Sequence, residues 1–167
     1  MGFTNGPANL MAIGTTFDNM DELIKGNEAV SQADRFGPWT AEAVDYLDLT
    51  SAEWSTYNVL RSGGGISTNF TQTVAVNVTP GQLEPARESL NTLAMHYESV
   101  YSRPVDILCL EAGLHYRHFI QIGYDNMAQY DADQAATASD EVYGKWANDM
   151  ADKFDRASIE KMIGRWY

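Results

Sequence analysis

The residues best suited to chemistry alternate along one predicted strand, Leu114 to Tyr124. Side chains on a strand point to opposite faces in turn, so one face carries His115, Arg117, Phe119 and Gln121. A histidine beside an arginine could polarise or deprotonate a small acidic substrate, which is general acid–base chemistry. We therefore predict that His115 and Arg117 are catalytic and that Phe119 and Gln121 bind the ligand.

A second predicted strand, Thr68 to Val78, supplies more polar residues. Its apolar side is expected to face helices, so the opposite side is expected to face a cavity. We predict that three residues of this second side bind the ligand: Thr71, Thr73 and Asn77. The alternative is a polar sheet face that is buried in a dimer interface and satisfied by hydrogen bonds. That structural role is the commoner one for such a face.

The other two histidines are candidate ligand-binding residues in different settings. His118 shares its predicted strand face with Ile120 and Ile122, where a core histidine bonded to a backbone group or a tyrosine is the simpler account. His96 lies beside the apolar stripe of a predicted helix that runs from Leu83 to Tyr101. Packing at the edge of that helix is the simpler account for His96.

The composition excludes several classes of partner and cofactor. The net charge of -12 disfavours nucleic acid and anionic membranes, both of which repel an acidic surface. The single cysteine, Cys109, excludes a cysteine-based metal cluster. His115 and His118 point to opposite faces of a strand, and no histidine pair has helical metal-ligand spacing, so no metal site is predicted. The N-terminus lacks the charge and apolar region of a signal peptide, which predicts a cytoplasmic protein.

One four-residue stretch occurs twice and organises the chain. Phe17-Asp18-Asn19-Met20 returns as Tyr124-Asp125-Asn126-Met127, and at the same offset Trp39 matches Trp146 without a gap. Asp18 is the expected cap of the helix that follows the first copy. The offset predicts an internal repeat, with the two tryptophans as packing anchors.

The order of predicted elements gives one and a half copies of a unit. Residues 66–167 read as β-α-β-β-α-β, which is the split βαβ or ferredoxin-like order, and residues 1–61 read as its second half, β-α-β. The Gly-rich residues 62–65 form the expected linker. Thr79-Pro80-Gly81-Gln82 fits a capping box that opens the helix of the complete copy, although Pro85 would shift the start.

In this pattern the chain resembles the dimeric α+β barrel superfamily, whose ferredoxin-like units pair sheet against sheet. The resemblance rests on Val78-Thr79-Pro80-Gly81, on Tyr124-Asp125-Asn126-Met127 and on the helix that contains Trp146. It implies a cavity lined by the sheet faces away from the helices. Members include cofactor-free monooxygenases, haem-degrading enzymes, lactone isomerases and proteins of unassigned activity, and the chain is expected to be of the last kind.

No cofactor is predicted, and haem is the remote alternative. A helix histidine over a cavity binds haem in some of these relatives, so His96 is the residue that haem would use. The asparagine, tryptophan and histidine set of the haem-degrading relatives does not map onto this chain.

The half repeat predicts a partner. A sheet left with two strands would expose its edges and an apolar face, so a second copy of the chain is expected to cover it. Two functions follow from the sequence. One is a small-molecule-binding barrel for a small hydrophobic or acidic ligand, with a cofactor-free oxygenase-like or isomerase-like activity between the sheets. The other is a non-catalytic protein whose barrel serves oligomerisation.

Overall fold

The computed structural model describes residues 2–3, 15–43, 45, 55–110 and 116–165. By internal contacts the chain divides into two units, Ile13–Trp54 and a larger unit of Met1–Ala12 with Ser55–Tyr167. Helices and an antiparallel sheet occur in one chain, so the predicted α+β class is confirmed. The sequence-based boundary at residues 62–65 stays a prediction.

Two helices form the described part of the smaller unit: α1, Met20–Gln32, and α2, Phe36–Ala43. The chain leaves α1 at Ala33 and enters α2 at Phe36, so Pro38 lies in the first turn of α2. Proline is tolerated there because the N–H groups of a first helical turn have no partner within the helix. The predicted strand over residues 8–17 lies mostly outside the described residues.

A six-stranded antiparallel sheet forms the frame of the larger unit in the described residues. Its strands are β1, Gly2–Phe3; β2, Tyr57–Arg61; β3, Phe70–Val78; β4, Val105–Leu110; β5, Arg117–Tyr124; and β6, Phe154–Arg165. Their order across the sheet is β1-β6-β3-β5-β4-β2. Among the described residues this sheet is open and not closed into a barrel. The alternating residues of β3 and β5 give each strand one apolar and one polar face.

Three helices cover the apolar face of this sheet. They are α3, Leu83–His96, which continues as a π-helical turn over Tyr97–Tyr101, then α4, Met127–Thr137, and α5, Glu141–Asp149. The period of 3.6 residues brings Leu90, Leu93 and Ala94 of α3 to the sheet. There they pack with the valines and isoleucines of β3, β4 and β5 into one core.

The predicted capping box at the start of α3 is wrong. Gln82 N–H donates to the Thr79 carbonyl at 3.0 Å and Gly81 has φ +82°, so these residues form a turn. That left-handed φ favours glycine, which has no Cβ to clash. The helix begins at Leu83, and Pro85 occupies its first turn.

The two copies of the repeated stretch start their helices with the same geometry. Asn19 and Asn126 are both extended N-caps, and each side chain accepts the backbone N–H three residues on at 3.0 Å. The cap of α1 is therefore Asn19 and not Asp18, since its amide oxygen reaches Glu22 N–H. The surroundings differ, because Phe17 is 37% exposed and Tyr124 is 2% exposed. The larger repeat stays a prediction.

Candidate functional site

The strands β3 and β5 divide the predicted site residues between two sheet faces. Six of them lie on the face away from α3, α4 and α5, since their neighbours in sequence belong to the core under those helices. These six are Thr71, Thr73, Asn77, Arg117, Phe119 and Gln121. His115 lies outside the described residues, so its position relative to Arg117 is not part of this geometry.

Arg117 is engaged by neighbours on this polar face. Its guanidinium donates to Asn77 Oδ1 at 3.2 Å and to Glu160 Oε2 at 2.7 Å, and it lies 5.7 Å from the centre of the Phe119 ring. These contacts join β5 to both β3 and β6. Arg117 therefore holds three strands together at this point, and a ligand at the same place would have to compete with Glu160.

The segment from Ser62 to Thr68 covers one end of the polar face. Asp106 Oδ1 accepts the N–H groups of Gly63 and Gly64 at 2.6 and 2.9 Å, and Thr71 donates to the Gly65 carbonyl at 3.1 Å. Thr71 is fully buried as a result. Thr73 is also buried, so neither threonine is open to a ligand in this structure.

His118 lies in the core below α3, as the simpler account of this residue requires. The side chain is fully buried, and Nδ1 is 3.3 Å from the Tyr116 carbonyl. Burial lowers the pKa of His118, so the ring is neutral at physiological pH. Nε2 has no hydrogen-bond partner within the described ranges.

His96 belongs to a polar cluster at the start of α5. Its Nε2 is 2.6 Å from Asp140 Oδ2, and the Tyr101 hydroxyl donates to the same oxygen at 2.5 Å. Asp140 also caps α5, because its other oxygen accepts Tyr143 N–H at 2.9 Å. A haem iron would have to displace Asp140 to reach Nε2. The cluster ties the end of α3 to the start of α5.

We predict that Asp140 makes the stability of the protein acid-sensitive. The hydrogen bond from Tyr101, with those from Tyr143 N–H and His96, holds the pKa of Asp140 well below its usual range. The stability that the carboxylate contributes is therefore complete above about pH 5, declines as the pH falls below about 4, and disappears only when the pH reaches the lowered pKa of the folded state. Asp140→Asn keeps the cap but removes the charge. Its loss of stability relative to wild type should be clear in urea unfolding at pH 7 and much smaller at pH 2.

Asp149→Asn is the control, since Asp149 is exposed at the other end of α5. Its difference from wild type should be small at both pH values. An Asp140→Asn difference that is equal at pH 7 and pH 2 would contradict the role of the charge.

A cavity of about 270 Å³ lies on the opposite face, between the sheet and α3, α4 and α5. None of the predicted site residues in the described ranges lines it. Its apolar walls come from the sheet, from α3, and from α5 with the residue that follows it. The apolar lining residues are Val74, Val76, Leu93, Ile120, Ile122, Ala147, Met150, Phe154 and Ile159.

Several uncharged polar groups of this cavity have no hydrogen-bond partner in the part of the chain that the structure describes. They include the amide nitrogen of Gln72, the side-chain amide of Gln134 and the hydroxyls of Tyr97 and Tyr143. Gln72 is 4% exposed, and the Tyr124 hydroxyl donates to its Oε1 at 3.3 Å. Burial raises the pKa of Tyr97 and of Tyr143, so both hydroxyls stay protonated. The cavity therefore offers hydrogen-bond donors to a bound molecule.

Trp146 forms a fixed wall of the cavity. Its indole N–H donates to the Ser89 carbonyl at 2.9 Å, and the Ser89 hydroxyl lies 3.1 Å from Met150 Sδ. These contacts hold α5 against α3, so the wall does not depend on a ligand. The sequence suggests that Trp146 and Trp39, which match in the two copies of the repeat, are both packing anchors. Trp146 packs on the core, whereas Trp39 is 49% exposed.

The mouth of the cavity is positively charged. Arg156 and Lys161, both on β6, line it where that strand is exposed, so the cavity opens beside β6. No aspartate or glutamate among the described residues lines it. The chain has 23 acidic and 11 basic residues, so a lining with two cations and no acid is unusual for it. The two cations give the mouth a local positive potential.

Gln72 was the one signal in the sequence that could have led to this cavity. It is a polar residue in the otherwise apolar row of β3, between Phe70 and Val74. A buried amide in such a row needs a partner, which is either a protein group or a ligand. The sequence could not indicate that Arg156 and Lys161 line the same cavity as Gln72, because their proximity depends on the pairing of β6 with β3.

In the described ranges, no three histidine, cysteine, aspartate or glutamate side chains converge as metal ligands would. Every helix in those ranges falls short of the combined length and apolar character that a bilayer crossing requires.

Comparison with protein-family models, with curated proteins and with solved structures finds no match to this chain. Inferences about function therefore rest on the geometry above.

Proposed function

We propose that this protein binds a small, largely apolar molecule in the cavity between the sheet and α5. The observation that carries the proposal is an apolar cavity of about 270 Å³ that contains the buried, half-satisfied amide of Gln72. Ligand sites are concave and mostly apolar, with a few placed polar groups, and they start at roughly 300 Å³ for drug-sized molecules. The ligand is therefore small, and its apolar part supplies most of the binding free energy.

We also propose the finer fold that the sequence suggests. The order β3-α3-β4-β5-α4-β6, with neighbouring strands β6-β3-β5-β4, supports a ferredoxin-like unit of the dimeric α+β barrel kind. In that arrangement a second copy would cover the sheet face that carries Arg117 and Phe119. The His115–Arg117 pair would act between the two sheets, apart from the cavity under the helices. The reaction there would be cofactor-free and oxygenase-like or isomerase-like.

A neutral solvatochromic dye, Nile red, tests the binding function. We expect the wild type to bind it saturably with a blue-shifted emission. Ala147→Phe should weaken binding by at least about tenfold, which corresponds to 1.4 kcal/mol, because Ala147 lines the cavity on α5 and a phenyl ring would fill it. Ala128→Phe on the exposed side of α4 is the matched control and should bind as the wild type does.

Circular dichroism melting shows whether both variants are folded. Equal binding by wild type and Ala147→Phe would contradict a site in this cavity.

The alternative function is that of a non-catalytic assembly protein. It is favoured by the exposed apolar residues Tyr57, Val59 and Leu60 on β2, which is an edge strand among the described residues. A stable dimer that binds no dye would support that function instead.

A further inference from the structure

The strand register places one cation beside the buried amide of the cavity. Lys161 on β6 is directly opposite Val74 on β3, so both point to the helix side of the sheet. Gln72 lies two residues before Val74 on the same face, which makes it the diagonal neighbour of Lys161. Diagonal neighbours on a sheet are about 7–8 Å apart at Cα, which is within reach of a lysine side chain.

Neither group is satisfied by a residue in the described ranges. The ammonium group of Lys161 makes no ion pair or hydrogen bond with any described residue, although the chain as a whole is strongly acidic. Gln72 directs its oxygen to the Tyr124 hydroxyl, which leaves the amide N–H₂ to the cavity. A cation and a buried donor on one side of a cavity match a single anionic group with two acceptor oxygens.

The rest of the cavity matches an apolar body. Beyond Lys161, the lining includes Val74 and Val76 of β3, Leu93 of α3 and Trp146 of α5. The second cation, Arg156, is partly used, because its Nη2 lies 3.4 Å from the Ala147 carbonyl. Lys161, which has no partner among the described residues, is therefore the cation that can take the anionic group.

We propose that the cavity binds an amphipathic monocarboxylic acid, with its carboxylate held between Lys161 and Gln72 and its apolar tail against Val74, Val76, Leu93 and Trp146. This inference rests on the proposed function of the cavity. The carboxylate of the ligand would be complementary to the positive charge at the open end of the cavity, and its tail would be complementary to the apolar walls inside.

Three probes with the same chain length test the ligand class: octanoate, octanol and octylammonium, each measured at pH 7 by displacement of Nile red. We expect octanoate to bind wild type about tenfold more tightly than octanol, the factor that 1.4 kcal/mol represents. Octylammonium should bind most weakly. Added salt should weaken octanoate binding and leave octanol binding unchanged, because Lys161 is exposed and its field is screened.

Lys161→Met should remove the advantage of octanoate over octanol, and Lys161→Arg should keep most of it. Lys145→Met is the matched control, since Lys145 is exposed on α5 and does not line the cavity. It should change neither affinity. Equal affinities for octanoate and octanol in wild type, a preference for octylammonium, or no displacement of bound dye by any probe would overturn the carboxylate inference. Failure of Nile red itself to bind would instead overturn the proposed function.

Discussion

Asp133→Ala should lower the free energy of unfolding by about 3–5 kcal/mol, the cost of leaving a buried charge without its partner. Asp133 lies on α4 with 6% of its side chain exposed, and it binds Arg103 through two contacts of 2.7 and 3.3 Å. The guanidinium also lies 5.7 Å from the centre of the Tyr124 ring. Without the carboxylate, Arg103 would keep its charge in a largely desolvated place. Urea unfolding followed by circular dichroism measures the loss.

Asp131→Ala is the matched control, because Asp131 is exposed on the same helix. Its effect should stay within about 0.5 kcal/mol of wild type. The double variant Arg103→Met with Asp133→Leu should recover much of the loss, since replacing a buried pair with apolar residues is often neutral. Equal effects of Asp133→Ala and Asp131→Ala would show that the pair contributes nothing beyond a surface charge.

Gly65→Ala should destabilise the larger unit by about 3 kcal/mol, at the upper end of the usual cost of overpacking. A Cβ at this position would lie 2.5 Å from the Gln121 carbonyl oxygen and 3.1 Å from that of Pro104. Both are backbone atoms within or beside the sheet, so they cannot rotate away as a side chain would. The turn at Gly65–Ser67 would have to lift from β5. Thermal and urea unfolding of the variant measure the effect.

Gly144→Ala provides a control of opposite sign. Gly144 lies within α5, and no described atom beyond its own helical turn and chain neighbours lies within 4 Å of the place where its Cβ would be. Alanine should therefore stabilise the protein by about 0.5–1 kcal/mol through the lower entropy of the unfolded chain and higher helix propensity. If both variants destabilise the protein equally, the close approach at Gly65 is not the cause.

Local patterns predicted most of the elements correctly. The alternation along Phe70–Val78 and Arg117–Tyr124 placed apolar and polar residues on opposite faces, because strand side chains follow a strict period of two. The repeated Asp-Asn-Met stretch marked two helix starts, since the asparagine cap needs only the next three residues. The capping box at Thr79–Gln82 failed because the positive φ of Gly81 turned the chain before the helix began.

The site was less accessible to sequence reasoning. Most of the predicted ligand-binding residues lie on the polar face of the sheet, whereas the cavity lies on the apolar face. Its polar members are two glutamines, two tyrosines and the two cations of β6, set among hydrophobic neighbours. Gln72 could have been singled out as the exception in its row. Tyr97 and Tyr143 could not, because tyrosines are common in cores with or without a cavity beside them.

The sequence by itself determined the acidic charge, the helix and strand periods and the face of each strand residue, because these depend on composition and on neighbours a few positions apart. Only the tertiary structure decided which polar groups meet. His96 and Asp140 are 44 positions apart, Arg103 and Asp133 are 30 apart, and Lys161 reaches Gln72 only through the pairing of β6 with β3. Such meetings depend on strand register and helix packing, which the core as a whole sets through the burial of its apolar residues.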